Sequence, residues 1–261
     1  MPYRRFLILF WSIILFNISI FLKGCTTISP QSKQELIIRN GFEDKFEKII
    51  GFKLARQVET RLSLKNDSEV LLYLSRLTET LMESLPDLRI YTVSIYLING
   101  NGGNDDLRWR NFSLPGNRIY LSTELLKKID FENEIAATIA FELGHLLGND
   151  AMNSIDNIFE AMQGRAVLFG KDGILEFTDD EHIKAIEQAI EILYKTGFDP
   201  RGMISFLNMH KDNLNRSFLT ESSIDQLMAA ARKAIAQHAP LRNPIIRSST
   251  FLAIHKRIKG L

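Results

Sequence analysis

Apolar residues recur at helical spacing along most of the chain beyond about residue 42. Phe46, Ile49, Ile50, Leu54 and Val58 keep this rhythm within 42–62. Leu71, Leu72, Leu74, Leu77 and Leu81 repeat it within 70–85, behind a cap supplied by Asn66 and Asp67. The pattern then changes. Residues 89–98 (RIYTVSIYLI) are rich in β-branched and aromatic side chains and predict a strand. Residues 99–106 (NGNGGNDD) predict a turn, and 112–122 (FSLPGNRIYLS) a turn leading into a short strand. A helix starts at Thr123 and a longer one spans 132–147. Another covers 179–196, stopped by Gly197, and Pro200 opens the next, to about His210. Helical spacing returns in 222–237 and near the C-terminus, in 248–261. The expectation is an α+β domain, mainly helical, with a small and mostly antiparallel sheet.

The N-terminus has a different pattern. Arg4 and Arg5 precede a run from Phe6 to Leu22 that contains no charged residue. Lys23, Gly24 and Cys25 follow, and Cys25 is the only cysteine among 261 residues. A basic start and an apolar run read as an export signal. At about 17 residues the run is also at the short limit for a membrane span. LKGC resembles a bacterial lipobox, whose cleavage would leave Cys25 as a lipidated N-terminus, although Lys23 stands where a small or apolar residue is usual. Three readings stand: a lipoprotein, an uncleaved anchor, and a plain signal. All place the remainder outside the cytoplasm, in the bacterial cell envelope for a lipoprotein, with the membrane as partner. The expected division is a leader over 1–24, a polar tether over 25–40 and one domain over 41–261.

Composition narrows the function. The chain is 45% hydrophobic, enough for a substantial core, and its net charge is +1 with no dense Lys/Arg stripe. Nothing points to a nucleic-acid partner. A lone cysteine excludes an internal disulfide. There is neither a P-loop lysine in a Gly-rich loop nor a nucleophile elbow.

One stretch carries candidate chemistry. Residues 136–150 read AATIAFELGHLLGND, and FELGH differs from the zinc-peptidase signature HExxH at its first position. In HExxH, two His on one helix face bind Zn²⁺ and the Glu is the general base for a metal-bound water. Glu142 and His145 hold their places here, but Phe141 has no lone pair to donate. By itself, a Glu-x-x-His on an amphipathic helix is ordinarily just a helix surface.

The flanking residues make it specific. Phe112, Leu114, Pro115, Gly116, Ile119 and Tyr120, then Glu134, Ala136, Ala137, Ala140, Glu142, Gly144 and His145, match two successive motifs of a known family. The chain resembles the HtpX-type zinc metallopeptidases, the minigluzincins of peptidase family M48. Asn117 replaces the second Gly of the turn. The resemblance covers about residues 44 to 261. It implies a zincin-like α+β fold and a peptide-binding strand over Arg118, Ile119, Tyr120 and Leu121, to which substrate adds as an extra strand. Relatives in the outer-membrane assembly group carry a tetratricopeptide repeat domain after the peptidase; none is expected here.

The resemblance also implies a dismantled metal site. Anchored at Gly197, Phe198, Asp199 and Pro200, the family's third zinc ligand falls on Lys184 and a following Asp on Ile186. A C-terminal His beside the metal falls on Phe251, between Thr250 and Arg257. Phe141, Ile186 and Phe251 are expected to fill the vacated site, and Lys184 to pair with Glu142. The resulting reading is a membrane-tethered pseudo-protease that binds a peptide or envelope protein and needs no cofactor. An active zinc enzyme with replacement ligands among Glu181, His182 and Glu187 is the first alternative. Of these, Glu181 and Glu187 share the Lys184 helix face and His182 points elsewhere. A structural or chaperone-like lipoprotein is the second alternative.

Overall fold

Helix α1 (Pro30–Arg61) opens the part of the chain that the computed structural model describes, which comprises residues 30–85, 92–99, 110–155, 177–212 and 219–261. It begins inside the stretch read as a polar tether. Gln, Lys, Glu and Leu are good helix formers whatever their polarity, and a proline suits the first helical position. The chain divides into two units, Met1–Lys45 and Phe46–Leu261, and the architecture below is that of the second. Among the described residues no helix is long and apolar enough to cross a membrane. The 6–22 run and Cys25 lie outside them.

After α1 come β1 (Leu64–Lys65), α2 (Ser68–Met82) and β2 (Ser94–Ile98). A hairpin follows, β3 (Phe112–Leu114) and β4 (Arg118–Ser122). The helices α3 (Thr123–Leu126), α4 (Glu132–Gly148), α5 (Asp150–Asn153), α6 (Asp179–Lys195), α7 (Gly202–Lys211), α8 (Glu221–Ala236) and α9 (Ser249–Lys259) complete the order. Predicted and observed helices agree to within about three residues at most ends, where assignments ordinarily differ by one or two. The turn expected at 112–117 is instead a strand, Phe112–Leu114, joined to β4 by a tight loop in which Gly116 and Asn117 take φ of 76° and 59°.

The sheet order is β1-β2-β4-β3. β1 with β2 and β3 with β4 are antiparallel, while β2 and β4 run parallel. The α+β reading therefore holds, with one parallel junction in the sheet. Alternation along the strands gives each face its own core. On one face Tyr96, Tyr120 and Phe112 stack in register across three strands, both neighbouring centroid distances being 4.9 Å. Tyr120, Phe112 and Leu114 pack on Ile50, Leu54 and Val58 of α1. Gly51 crosses the hairpin loop so closely that a Cβ there would lie 1.8 Å from the Pro115 carbonyl oxygen.

The opposite face presents Ile95, Leu97, Ile119 and Leu121 to the larger core with α2 to α4 and α6 to α9. Helix α4 is its axis. Every residue from Ile135 to His145 is buried, as a helix apolar all round requires. It crosses α6 at Gly144, where an added Cβ would come within 2.5 Å of the Ala185 carbonyl oxygen. Its N-terminus is tied down by Glu132, which accepts from Tyr73 of α2 at 3.0 Å and from the Ser248 hydroxyl at 2.8 Å.

Candidate functional site

The close crossing of α4 and α6 creates the site. Gly144 precedes His145, and Ala185 follows His182 by three residues. Bringing these two backbones together sets the two imidazoles side by side, with His182 Nδ1 3.1 Å from His145 Nε2. Both rings are buried. Behind His145, α4 ends in a left-handed cap at Asn149 (φ 56°). This reversal swings Asp150 back so that its Oδ2 lies 2.6 Å from His145 Nδ1. Gly148 leaves room for it, since a Cβ there would meet the Asp150 carboxylate at 2.5 Å. With the Asp150 carboxylate accepting from Nδ1–H of His145, the other ring nitrogen, Nε2, is turned to His182 Nδ1. The three groups form one hydrogen-bonded chain.

Aromatic rings enclose this chain. Phe141 meets His145 edge-on at 4.7 Å and stacks near His182 at 5.8 Å, and Phe177 stacks on His145 at 4.4 Å. Phe206 closes the far side of Phe141 at 5.6 Å. Burial among them holds His182 neutral, its pKa pushed down to about 3, with the neighbouring His145 and His210 adding repulsion. His210, one turn beyond Phe206, is pushed down to about 4 by burial and then by the charge of Arg110.

Glu142 faces the sheet. It is buried, and desolvation pushes its carboxyl up to about 8, against a smaller downward pull from the Ser113 hydroxyl of β3. Glu142 Oε2 and Ser113 Oγ are both buried and make no hydrogen bond of regular geometry, yet they lie close enough for the hydroxyl to exert that pull. The carboxyl is therefore protonated at neutral pH rather than held as a ready base.

Several expected placements change. Lys184 is exposed and makes no ion pair with Glu142. An ammonium in water cannot neutralise a carboxyl inside the core, and desolvation dominates at Glu142. Of the replacement ligands weighed, Glu181 is spent on the α6 cap, accepting from the Thr178 amide at 2.7 Å and hydroxyl at 2.9 Å, while Glu187 is exposed. His182, read as pointing elsewhere, is the one that enters. Ile186 lies one turn further along the same face and is fully buried in the large core. Phe251 is also fully buried, but its ring contacts are Tyr73 at 6.4 Å and His255 at 4.8 Å, toward the α4 N-terminus and away from Phe141. The strand Arg118–Leu121 is interior, paired on both sides by β2 and β4's hairpin partner β3, so it has no open edge for a peptide. Among the described residues the sheet edge beside Glu142 is β3. Sequence reading missed Asp150 and Ser113, and named His182 but turned it away from the site. Only Asp150 carried a signal, standing just past the Gly148-Asn149 helix stop.

The donor set does not suit a tight zinc site. Such a site takes three protein ligands. His145 and His182 offer two nitrogens, Phe141 offers none, and Asp150 is engaged behind His145. Among the described residues no group of three His, Cys, Asp or Glu converges on one point.

An α+β domain with a small mixed sheet and a central Glu-x-x-His helix agrees with the resemblance to the metallopeptidases. Residues 110–170 match the model of Peptidase family M48, which bears out the family resemblance read from the sequence. The chain is 24% identical over 245 residues to the beta-barrel assembly-enhancing protease of Yersinia pestis, an alignment covering 82% of this chain and 49% of that protein. It is 24% identical over 230 residues to the protein of the same name from Escherichia coli (strain K12), covering 77% and 45%. The chain thus spans about half the length of the curated relatives it matches.

Proposed function

We propose that this chain is a pseudo-protease of the bacterial cell envelope: an M48-type domain that has given up zinc hydrolysis and acts by holding a polypeptide or envelope protein. The observation that carries this reading is Phe141. Its ring occupies the place of a metal-binding imidazole and packs on both remaining histidines. The names of the relatives support an envelope setting and suggest chains of outer-membrane β-barrels as the partner class. A lipid on Cys25 would supply the anchor. An extended segment would pair with β3, the sheet edge beside Glu142.

Metal analysis of the purified full-length chain, paired with a casein assay, tests this. Zinc well below one per chain and no chelator-sensitive cleavage are expected. One zinc per chain with chelator-sensitive proteolysis overturns it. That second result would favour a metallopeptidase with a replacement ligand, and one observation speaks for it. The 3.1 Å between His145 Nε2 and His182 Nδ1 is near the separation of about 3.3 Å that two nitrogens take on one tetrahedral zinc. A purely structural lipoprotein that ignores polypeptide altogether would give the first of these outcomes as well; what separates it from the pseudo-protease is binding of an extended peptide, which the pseudo-protease retains and β3 blockade removes.

A further inference from the structure

The outward face of α1 has no role in the site, yet its composition is unusual for a solvated surface. Ile50, Leu54, Ala55 and Val58 turn inward against the sheet. On the opposite side stand Ile49, 46% exposed, and Phe52, 57% exposed. Lys48 and Arg56 are exposed beside them and Lys53 is half-buried. At about 100° per residue these five side chains fall within an arc of about 140°. Glu59 is the acidic residue on that arc, one turn on. Glu47 is turned away and accepts from the Gly116 amide at 3.0 Å. Other exposed apolar residues, such as Leu72 and Leu252, stand on different helices; single exposed apolar residues are commonplace. Here an aromatic and an aliphatic residue lie one turn apart, flanked by three cations.

We infer that this face of α1 is a docking surface for an anionic phospholipid bilayer. An amphipathic helix with apolar side chains flanked by Lys and Arg lies in the plane of the headgroups. The occupant follows from charge and chain length. With Glu59 counted against Lys48, Lys53 and Arg56, the arc keeps a net positive charge, which repels the same face of a second copy and attracts an anionic surface. The uncharged run that would anchor the chain ends at Leu22, so Lys48 follows it by only 26 positions, within about 90 Å of it even at full extension. A tether of that length holds the face at high effective concentration near the bilayer. It supplies the second of the two weak signals that stable membrane attachment requires. Because α1 and α4 pack on opposite faces of the sheet, docking through α1 turns the Glu142 and His145 side away from the lipid.

The test uses the full-length chain reconstituted into vesicles, with Phe52→Cys and, as a control, Leu252→Cys. Each is labelled with an uncharged, membrane-impermeant maleimide, and the wild-type chain gives the background from Cys25. Labelling of Phe52→Cys is expected to be at least about fivefold slower in phosphatidylglycerol vesicles than in phosphatidylcholine vesicles, and that of Leu252→Cys equal in both. Adding Lys48→Glu, Lys53→Glu and Arg56→Glu is expected to restore the faster rate. Equal rates for Phe52→Cys in the two lipids overturn the proposal, as does equal slowing of Leu252→Cys or protection that survives the charge reversal. Protection in phosphatidylcholine that rises with protein density also overturns it, and assigns the face to contacts between copies.

Discussion

At the scale of single residues, Phe141 decides the chemistry, because it alone separates two imidazoles from three. Phe141→His is expected to bind about one zinc per chain, with chelator-sensitive thermal stabilisation, since it places a third nitrogen beside His145 and His182. Without metal the same change is expected to cost about 2–4 kcal/mol in denaturant unfolding, for a shrunken and more polar buried side chain. Lys184→Glu, the change that the alignment alone recommends, is expected to alter neither zinc content nor stability, because Lys184 is exposed. Two positions along an α-helix turn a side chain through about 200°. An alignment anchored at Gly197 to Pro200 finds the correct helix, yet a choice two residues from His182 falls on its opposite face.

Glu142 gives the residue scale a pH signature. Its folded-state pKa, about 8, lies above the ordinary 4.5, so the folded chain keeps a proton that the unfolded chain has lost. That stability is fully present below about 4.5 and is lost as pH rises through 8. His182 and His210 act in the other sense. Their folded values of about 3 and 4 lie below the ordinary 6.5, so their contribution is present above 6.5 and lost on acidification. Unfolding free energy is therefore expected to peak near pH 6.5 and to fall by about 1–2 kcal/mol by pH 8. In Glu142→Gln the alkaline fall is expected to vanish while the acid limb persists, as urea titrations across this range would reveal. A wild-type curve flat above pH 6.5 would contradict the burial assigned to Glu142.

At the scale of elements, the crossing of α4 and α6 is the feature on which the site depends. Gly144→Ala is expected to destabilise by about 2 kcal/mol or more, since its Cβ would meet the Ala185 carbonyl oxygen at 2.5 Å and the helices must move apart. The same displacement would lengthen the His145–His182 contact, so the imidazole resonances of both rings in NMR spectra are expected to shift together. Helix existence was legible from periodicity, and the caps from local residues: the Thr178–Glu181 capping box and the Asp67 cap on Val70 use side chains adjacent in sequence. The pairing of strands was not. The local pattern identified Arg118 to Leu121 as a strand but could not say that β2 lies parallel along one side of it and β3 along the other. Which strand is an edge depends on partners more than 20 residues away.

At the scale of the whole molecule, the fold rests on extensive apolar packing. Two cores flank one sheet, and the larger joins seven helices, α2 to α4 and α6 to α9, to it through buried aliphatic and aromatic side chains. A chelator is accordingly expected to leave the melting temperature unchanged; a fall of several degrees in the presence of EDTA would show that a bound ion contributes to folding. By itself the sequence determined the helices, the α+β class, the M48 resemblance and the loss of a donor at position 141. These depend on periodicity, on local capping and on the identity of one residue. Only the tertiary structure decided that His182 rather than Lys184 joins His145, that Asp150 folds back behind it, that Phe251 packs toward the other end of α4, and that β3 forms the open edge. Asp150 is placed by a local helix-end reversal five residues from His145; the others depend on segments far apart in the chain, set by how closely two backbones pass and by the rotation of each helix about its own axis.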